Sequence, residues 1–183
     1  IERICKDLGI LEKVETWKNK KSQDRFEPFD DTQRPELHCC AVCYNVKTKK
    51  ILVLKRSCSR KRYPGKWEFG CAKPTILQNI KDAIEDEYEK DIGCKINVII
   101  DGNREDSQPV PIAIYSVYGT DKKVVHKGII FLAAINTDKL DIDKNKFAEY
   151  KFISRKEIDA FVSENSDNLI PDMEDSICKA FDF

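Results

Sequence analysis

The 183-residue chain has no stretch long and apolar enough to span a bilayer. No secretory signal is visible at its start. Neither sign of charge is in excess, since 32 Lys and Arg stand against 32 Asp and Glu. A formal net charge of zero gives no general reason to expect nucleic-acid or membrane binding. There is no internal repeat and no low-complexity tract. Histidine is scarce, with only His38 and His126. Eight cysteines are present, but their spacing lacks the regularity of a disulfide framework. They read as reduced thiols of a cytosolic protein. Cys40-x-x-Cys43, with His38, invites a zinc reading, but no second pair lies at the spacing a structural zinc site uses. Leu37 to Tyr44 reads instead as a buried strand in which small apolar thiols pack well. The chain begins at Ile1 rather than Met, so we expect an excised domain or processed product, whose upstream region could hold targeting information or a partner domain.

What is present suits one folded domain with an extension. Hydrophobic residues make up 41% of the chain and charged residues 35%. Residues 1–20 suggest a short helix, and the polar, proline-containing stretch to residue 35 reads as a connector. The domain proper is expected over 36–183. Leu37–Tyr44 and Ile51–Leu54 suggest a hairpin. The basic run Lys55 to Arg62 follows, as a solvated loop or a local anion site. Asn79 to Ile92 reads as a helix, with Asn79 as N-cap and Gly93 as stop. Further strands are expected at Ile96–Ile100, Ile112–Tyr118, Gly128–Ile135 and Glu149–Ile153. Ser154 and Glu157 form a capping box for a helix from Arg155 to Val162, and a last helix runs from Pro171 to Ala180. This order implies a mixed-sheet α+β or α/β sandwich.

The helix from Asn79 to Ile92 is the informative element. At about 100° per residue, Ile80, Ala83, Ile84, Tyr88 and Ile92 form one apolar stripe. Glu87 and Asp91 fall inside that stripe on neighbouring turns, whereas Asp82, Glu85 and Glu89 point outward. Acids seldom occupy a buried face unless paired or metal-bound. Two carboxylates one turn apart can help hold a divalent cation, or can pair with basic side chains in a structural network.

Trp67-Glu68-Phe69-Gly70-Cys71-Ala72-Lys73 through Asp86-Glu87-Tyr88-Glu89-Lys90-Asp91-Ile92-Gly93 resembles the signature of the Nudix hydrolases without a gap. The resemblance covers roughly residues 36–165. It implies an α/β/α sandwich around a mixed sheet and a nucleotide-like ligand carrying a pyrophosphate. It also implies magnesium or manganese, held by Glu87, Asp91 and an outside acid, for which Glu149 is the first candidate and Glu68 the second. Glu87 would help activate water. Arg56, Glu68 and Lys73 are expected to bind the ligand. Specificity would lie on the loops 101–110 and 119–127.

Four positions depart from the signature. Ala72 replaces its glycine, Gln78 its first glutamate, Asp86 its arginine and Lys90 one of its paired glutamates. Gln78 and Asp86 retain the means to hydrogen-bond, and Lys90 stands within reach of Glu87. Metal binding is therefore expected to be weak without a diphosphate ligand. The readings are a divergent pyrophosphohydrolase, or a domain that binds such a ligand or a protein without catalysis. A third reading is a relative of isopentenyl diphosphate isomerase, which shares the fold and uses a cysteine resembling Cys71.

Overall fold

The computed structural model describes residues 37–75, 78–101, 108–118, 124–171 and 173–181. The helix and connector expected over 1–35 lie outside the described residues, as do parts of both expected specificity loops. Seven strands, β1 (His38–Asn45), β2 (Lys50–Arg56), β3 (Trp67–Glu68), β4 (Asn97–Val98), β5 (Pro111–Tyr118), β6 (Val124–Ile135) and β7 (Phe147–Ser154), form one mixed sheet. Among the described residues three α-helices accompany it: α1 (Ile80–Ile92), α2 (Ile158–Asn165) and α3 (Met173–Phe181). β1 runs parallel to β6, with His38 opposite Gly128 and Asn45 opposite Ile135. The other pairings are antiparallel.

Alternation along the strands sorts the core into two layers. Cys40 and Val42 of β1, Ile51 and Val53 of β2, and Trp67 of β3 pack with Ile158, Phe161, Met173 and Ile177 of α2 and α3. Ala41, Cys43, Leu52 and Leu54 turn to the opposite face and are equally buried. That face is covered by α1 through Ala83, Ile84, Tyr88 and Ile92. The result is the expected three-layer sandwich. Trp67 and Phe69 are 1% and 2% exposed. Cys39, Cys40 and Cys43 lie in the core, as expected of a strand rather than a surface metal loop.

β1 and β2 pair only near their hairpin end, at Tyr44–Ile51 and Asn45–Lys50. Farther along, the partners of Leu54 and Lys55 are Glu68 and Trp67 of β3. Ala72 bonds instead to Cys39 of β1. The segment 67–72 thus enters a split between two strands. Tyr88 closes that split from α1. Its hydroxyl accepts the Ala41 N–H at 2.8 Å and lies 2.8 Å from the Phe69 carbonyl, to which it donates. Gly70, at φ +95°, keeps this position open, because a Cβ there would stand 3.0 Å from the Tyr88 hydroxyl oxygen.

Local signals set the ends of α1. The Asn79 side chain accepts the Lys81 N–H at 2.8 Å. Gly93 adopts φ +69° and bonds back to the Glu89 carbonyl. The segment 141–143 then lies along this end, with the Asp141 and Asp143 N–H groups donating to the Ile92 and Asp91 carbonyls. Otherwise-orphaned helix carbonyls are satisfied this way.

Several boundaries differ from expectation. The strand expected over Ile96–Ile100 narrows to Asn97–Val98, and Ile99 and Ile100 are exposed. Glu85, expected to point outward, reaches β4 and accepts the Val98 N–H at 2.9 Å. The helix after Ser154 begins with a 3-10 turn over Arg155–Glu157. The capping box is present: Glu157 Oε2 accepts from the Ser154 N–H at 2.8 Å and from its hydroxyl at 2.5 Å.

Two outcomes follow from these contacts. Tyr88→Phe leaves the buried Ala41 N–H and Phe69 carbonyl without the shared hydroxyl, and should cost about 1–3 kcal/mol in urea unfolding. The bonds from Ser154 hold the Glu157 carboxyl at about 2, below its ordinary 4.5. A depressed carboxyl stabilises the fold above its unfolded pKa, and that contribution is lost as pH falls through the folded pKa. The Tm gap between wild type and Glu157→Gln should therefore be full near neutral pH and close between about 4.5 and about 2.

Candidate functional site

Glu87 and Asp91 share one cation, Lys146. Its ammonium lies 2.7 Å from Glu87 Oε1 and 2.5 Å from Asp91 Oδ1. Backbone bonds place it there. Asp143 is tied to the Asp91 carbonyl, and the Lys146 and Phe147 N–H groups return to the Asp143 carbonyl at 2.9 and 2.8 Å. The turn just before β7 thereby hangs Lys146 over the last two turns of α1. Asp91 is buried and Glu87 half-buried. Burial pushes the Asp91 carboxyl above its usual range, and the bond from Lys146 opposes this without overcoming it. Desolvation pulls the Lys146 ammonium down, but its bonds to Asp91 and Glu87 outweigh that and hold it above the ordinary lysine value.

Lys90 is only a peripheral neighbour. Its nitrogen stands 4.0 Å from Glu87 Oε2, and its side chain is 72% exposed. The cation that neutralises the inward acids is thus chiefly Lys146, which sequence reasoning missed. No spacing rule links residue 146 to a helix 55 positions earlier, and Asp-Ile-Asp-Lys-Asn-Lys reads as a polar loop.

The other expected site residues are distributed as follows. Arg56 and Glu68 form an ion pair of 2.7 Å between two largely buried side chains. Burial raises the Glu68 carboxyl, and Arg56 works against that rise. Arg56 also donates from Nε to the Arg62 carbonyl at 3.0 Å, folding the basic loop back on itself. Arg60, Lys61 and Arg62 are exposed. The Ser57 N–H donates to the Lys146 carbonyl at 2.8 Å, so this loop begins beside the turn carrying Lys146. Lys73 is exposed, and Ala72 is buried against Cys39. Asp86 is exposed. The bond foreseen between Gln78 and Asp86 is not formed among the described residues. Gln78 Oε1 instead lies 3.5 Å from the Thr75 N–H, and Asp86 is eight residues farther along.

Glu149 is not brought to the carboxylate pair. In β7 it stands opposite Lys55 of β2. Its carboxylate lies 3.7 Å from both the Lys55 and the Lys151 ammonium. Both ammoniums sit over the Trp67 ring, which packs edge-on against Phe161 of α2. Glu149 therefore projects to the α2 face, with the sheet between it and α1. The sequence correctly places an acid on this strand; strand parity turns it the wrong way for the α1 site. Cys71 also points to the α2–α3 face, where it meets His38 and Tyr115.

Magnesium wants about six oxygen ligands and manganese favours the same hard donors. Here two carboxylates converge, already on an ammonium, with a second ammonium at Lys90. Among the described residues no three His, Cys, Asp or Glu side chains are grouped to hold a metal ion. This donor set does not fit a resident divalent cation.

No protein-family model matches the chain, and no curated protein matches it. Solved structures do. A MutT protein from Methanosarcina mazei Go1 is 18% identical with a TM-score of 0.57, covering 81% of this chain and 94% of that one. A Nudix-family hydrolase from Clostridium perfringens is 10% identical with a TM-score of 0.59, covering 81% and 97%. An ADP-ribose pyrophosphatase from Streptococcus suis 89-1591 is 12% identical with a TM-score of 0.52, covering 81% and 91%. The sandwich, the split sheet and the helix laid across it thus make up the Nudix hydrolase fold.

Proposed function

We propose that this domain binds a nucleoside diphosphate-linked ligand without hydrolysing it. The observation that carries this reading is the Lys146 ammonium lodged between Glu87 and Asp91. A metal-dependent pyrophosphohydrolase needs those carboxylates free to hold a cation that polarises the phosphate and activates water. An internal ammonium offers their charge a partner but cannot lower the pKa of a bound water as a divalent ion does. The presence of Lys90 where the signature has a glutamate acts in the same direction.

Ligand binding is supported by the surroundings of the pair. Arg60, Lys61 and Arg62 are exposed on a loop whose first residues bond to the Lys146 turn. A diphosphate, carrying several acceptor oxygens, suits guanidinium groups held in such a loop. The free thiols of the described residues fit a reducing compartment. A cytosolic location is part of this proposal and is supported by those thiols.

Calorimetry, and chromatographic detection of AMP and the other nucleotide products, on a panel including ADP-ribose and dinucleoside polyphosphates, with and without magnesium or manganese, test this directly. The expected result is binding with no metal-dependent turnover, and binding weakened about tenfold or more by Arg60→Ala together with Arg62→Ala. Turnover by the wild-type protein that requires metal and is lost in Glu87→Gln would overturn the reading in favour of a divergent hydrolase.

Removing the internal cation makes a second test. Lys146→Ala leaves Asp91 buried without its partner, and should destabilise the protein by about 1–3 kcal/mol. This is less than for a wholly buried pair, because Lys146 is partly in solvent. Divalent metal should then recover part of the loss, since a ligand of the folded state stabilises by mass action. Adding Lys90→Glu should enlarge the metal effect. Thermal unfolding of wild type, Lys146→Ala and the double variant measures it, and equal metal stabilisation of all three would show that neither lysine guards the site.

A further inference from the structure

Cys39 and Ala72 exchange backbone hydrogen bonds of 2.9 and 2.7 Å across an antiparallel bridge. Antiparallel pairs alternate, so the residues next along, Cys40 and Cys71, face each other at the non-hydrogen-bonded position. Such positions bring Cα atoms to about 4.5 Å, within the span of about 4.4–6.8 Å that a disulfide bridges. Both side chains turn to the α2–α3 face. Cys40 is buried there, while Cys71 is partly exposed and packs against the same cluster.

Cys71 has the surroundings of a reactive thiol. Its sulfur lies 3.7 Å from His38 Nδ1 and 3.6 Å from the Tyr115 hydroxyl. Gly128, opposite His38 in the parallel pairing, makes the tyrosine placement possible. A Cβ there would stand 2.2 Å from the Tyr115 ring. The neighbouring Cys40 thiol first, then hydrogen bonds with His38 and Tyr115, pull the Cys71 thiol well below its ordinary value against the effect of burial, while Cys40 is raised.

We propose that Cys71 and Cys40 form a peroxide-reactive dithiol site, in which Cys71 attacks and Cys40 resolves. The Cys71 thiolate attacks one oxygen of hydrogen peroxide. An S–O bond forms, the O–O bond breaks, and the departing hydroxide takes a proton to leave as water. Cys71 is then a sulfenic acid. The Cys40 sulfur attacks the Cys71 sulfur, the S–S bond forms, the S–O bond breaks, and a second water departs with the Cys40 proton. Two thiols lose two electrons in all, and one peroxide is reduced to two waters. The resulting cross-link ties the segment leading to α1 to the neighbouring strand β1. This inference stands independently of the ligand-binding reading.

The experiment treats the fully reduced chain with equimolar hydrogen peroxide, followed by intact mass and peptide mapping without reduction. The expected product has lost two hydrogens and contains a peptide joined through Cys40 and Cys71. Cys71 should react about tenfold or more faster than the exposed Cys58 and Cys178. In Cys40→Ala, a 1,3-dione should trap a sulfenic acid at Cys71. The mapping needs no variant, so failure of Cys40→Ala to fold leaves the test intact. Oxidation confined to Cys58 or Cys178, or a cross-link from Cys71 to another cysteine, would overturn the proposal.

Discussion

The hydroxyl of Tyr88 is the contact on which this architecture turns. A sheet whose first two strands diverge leaves backbone groups facing a gap, and buried peptide groups without partners are costly. The segment 67–72 supplies partners for much of the gap, bonding to β2 at one end and to β1 at the other. Between these ends the Tyr88 oxygen bridges the Ala41 N–H and the Phe69 carbonyl. The same side chain fixes the height and rotation of α1 above the sheet. The positions of Glu87, one residue before it, and Asp91, three residues after, follow from that rotation.

Charge around α1 is settled locally. Each inward or buried acid of this region has a designated cation: Lys146 for Glu87 and Asp91, Arg56 for Glu68. The cations come from segments that the backbone ties to their targets, β2 for Arg56 and the turn before β7 for Lys146. Such pairing lets acids sit on a buried face without an imported ion, and it distinguishes this helix from a bare cluster of carboxylates.

Much of the fold was legible in the sequence because its signals are local. Asn79 and Gly93 bound α1 where capping chemistry predicts, and Ser154 with Glu157 opens the next helix as its spacing implies. The apolar stripe identified Ala83, Ile84, Tyr88 and Ile92 as buried, and put Asp91 among them. The site was less legible because it depends on contacts between distant segments. The partner of Glu87 and Asp91 lies beyond several strands, in a stretch with no periodicity. Glu149 was placed on the right strand, but only the register with β2 shows which face it takes. The Cys40–Cys71 juxtaposition needs the Cys39–Ala72 bridge, which neither hairpin pattern nor helix period encodes.

The parallel pairing of β1 with β6 bears on the order of assembly. His38 meets Gly128, ninety residues later in the chain. The β1–β2 hairpin can close early, since its turn is short, but its other edge must wait for β6. Long-range closure of this kind slows folding. During synthesis, β1 would leave the ribosome with its cysteine-rich edge unpaired until residue 128 and its successors follow. The Lys146 turn is made later still, so the acids of α1 stand without their cation until the chain beyond β6 has been synthesised.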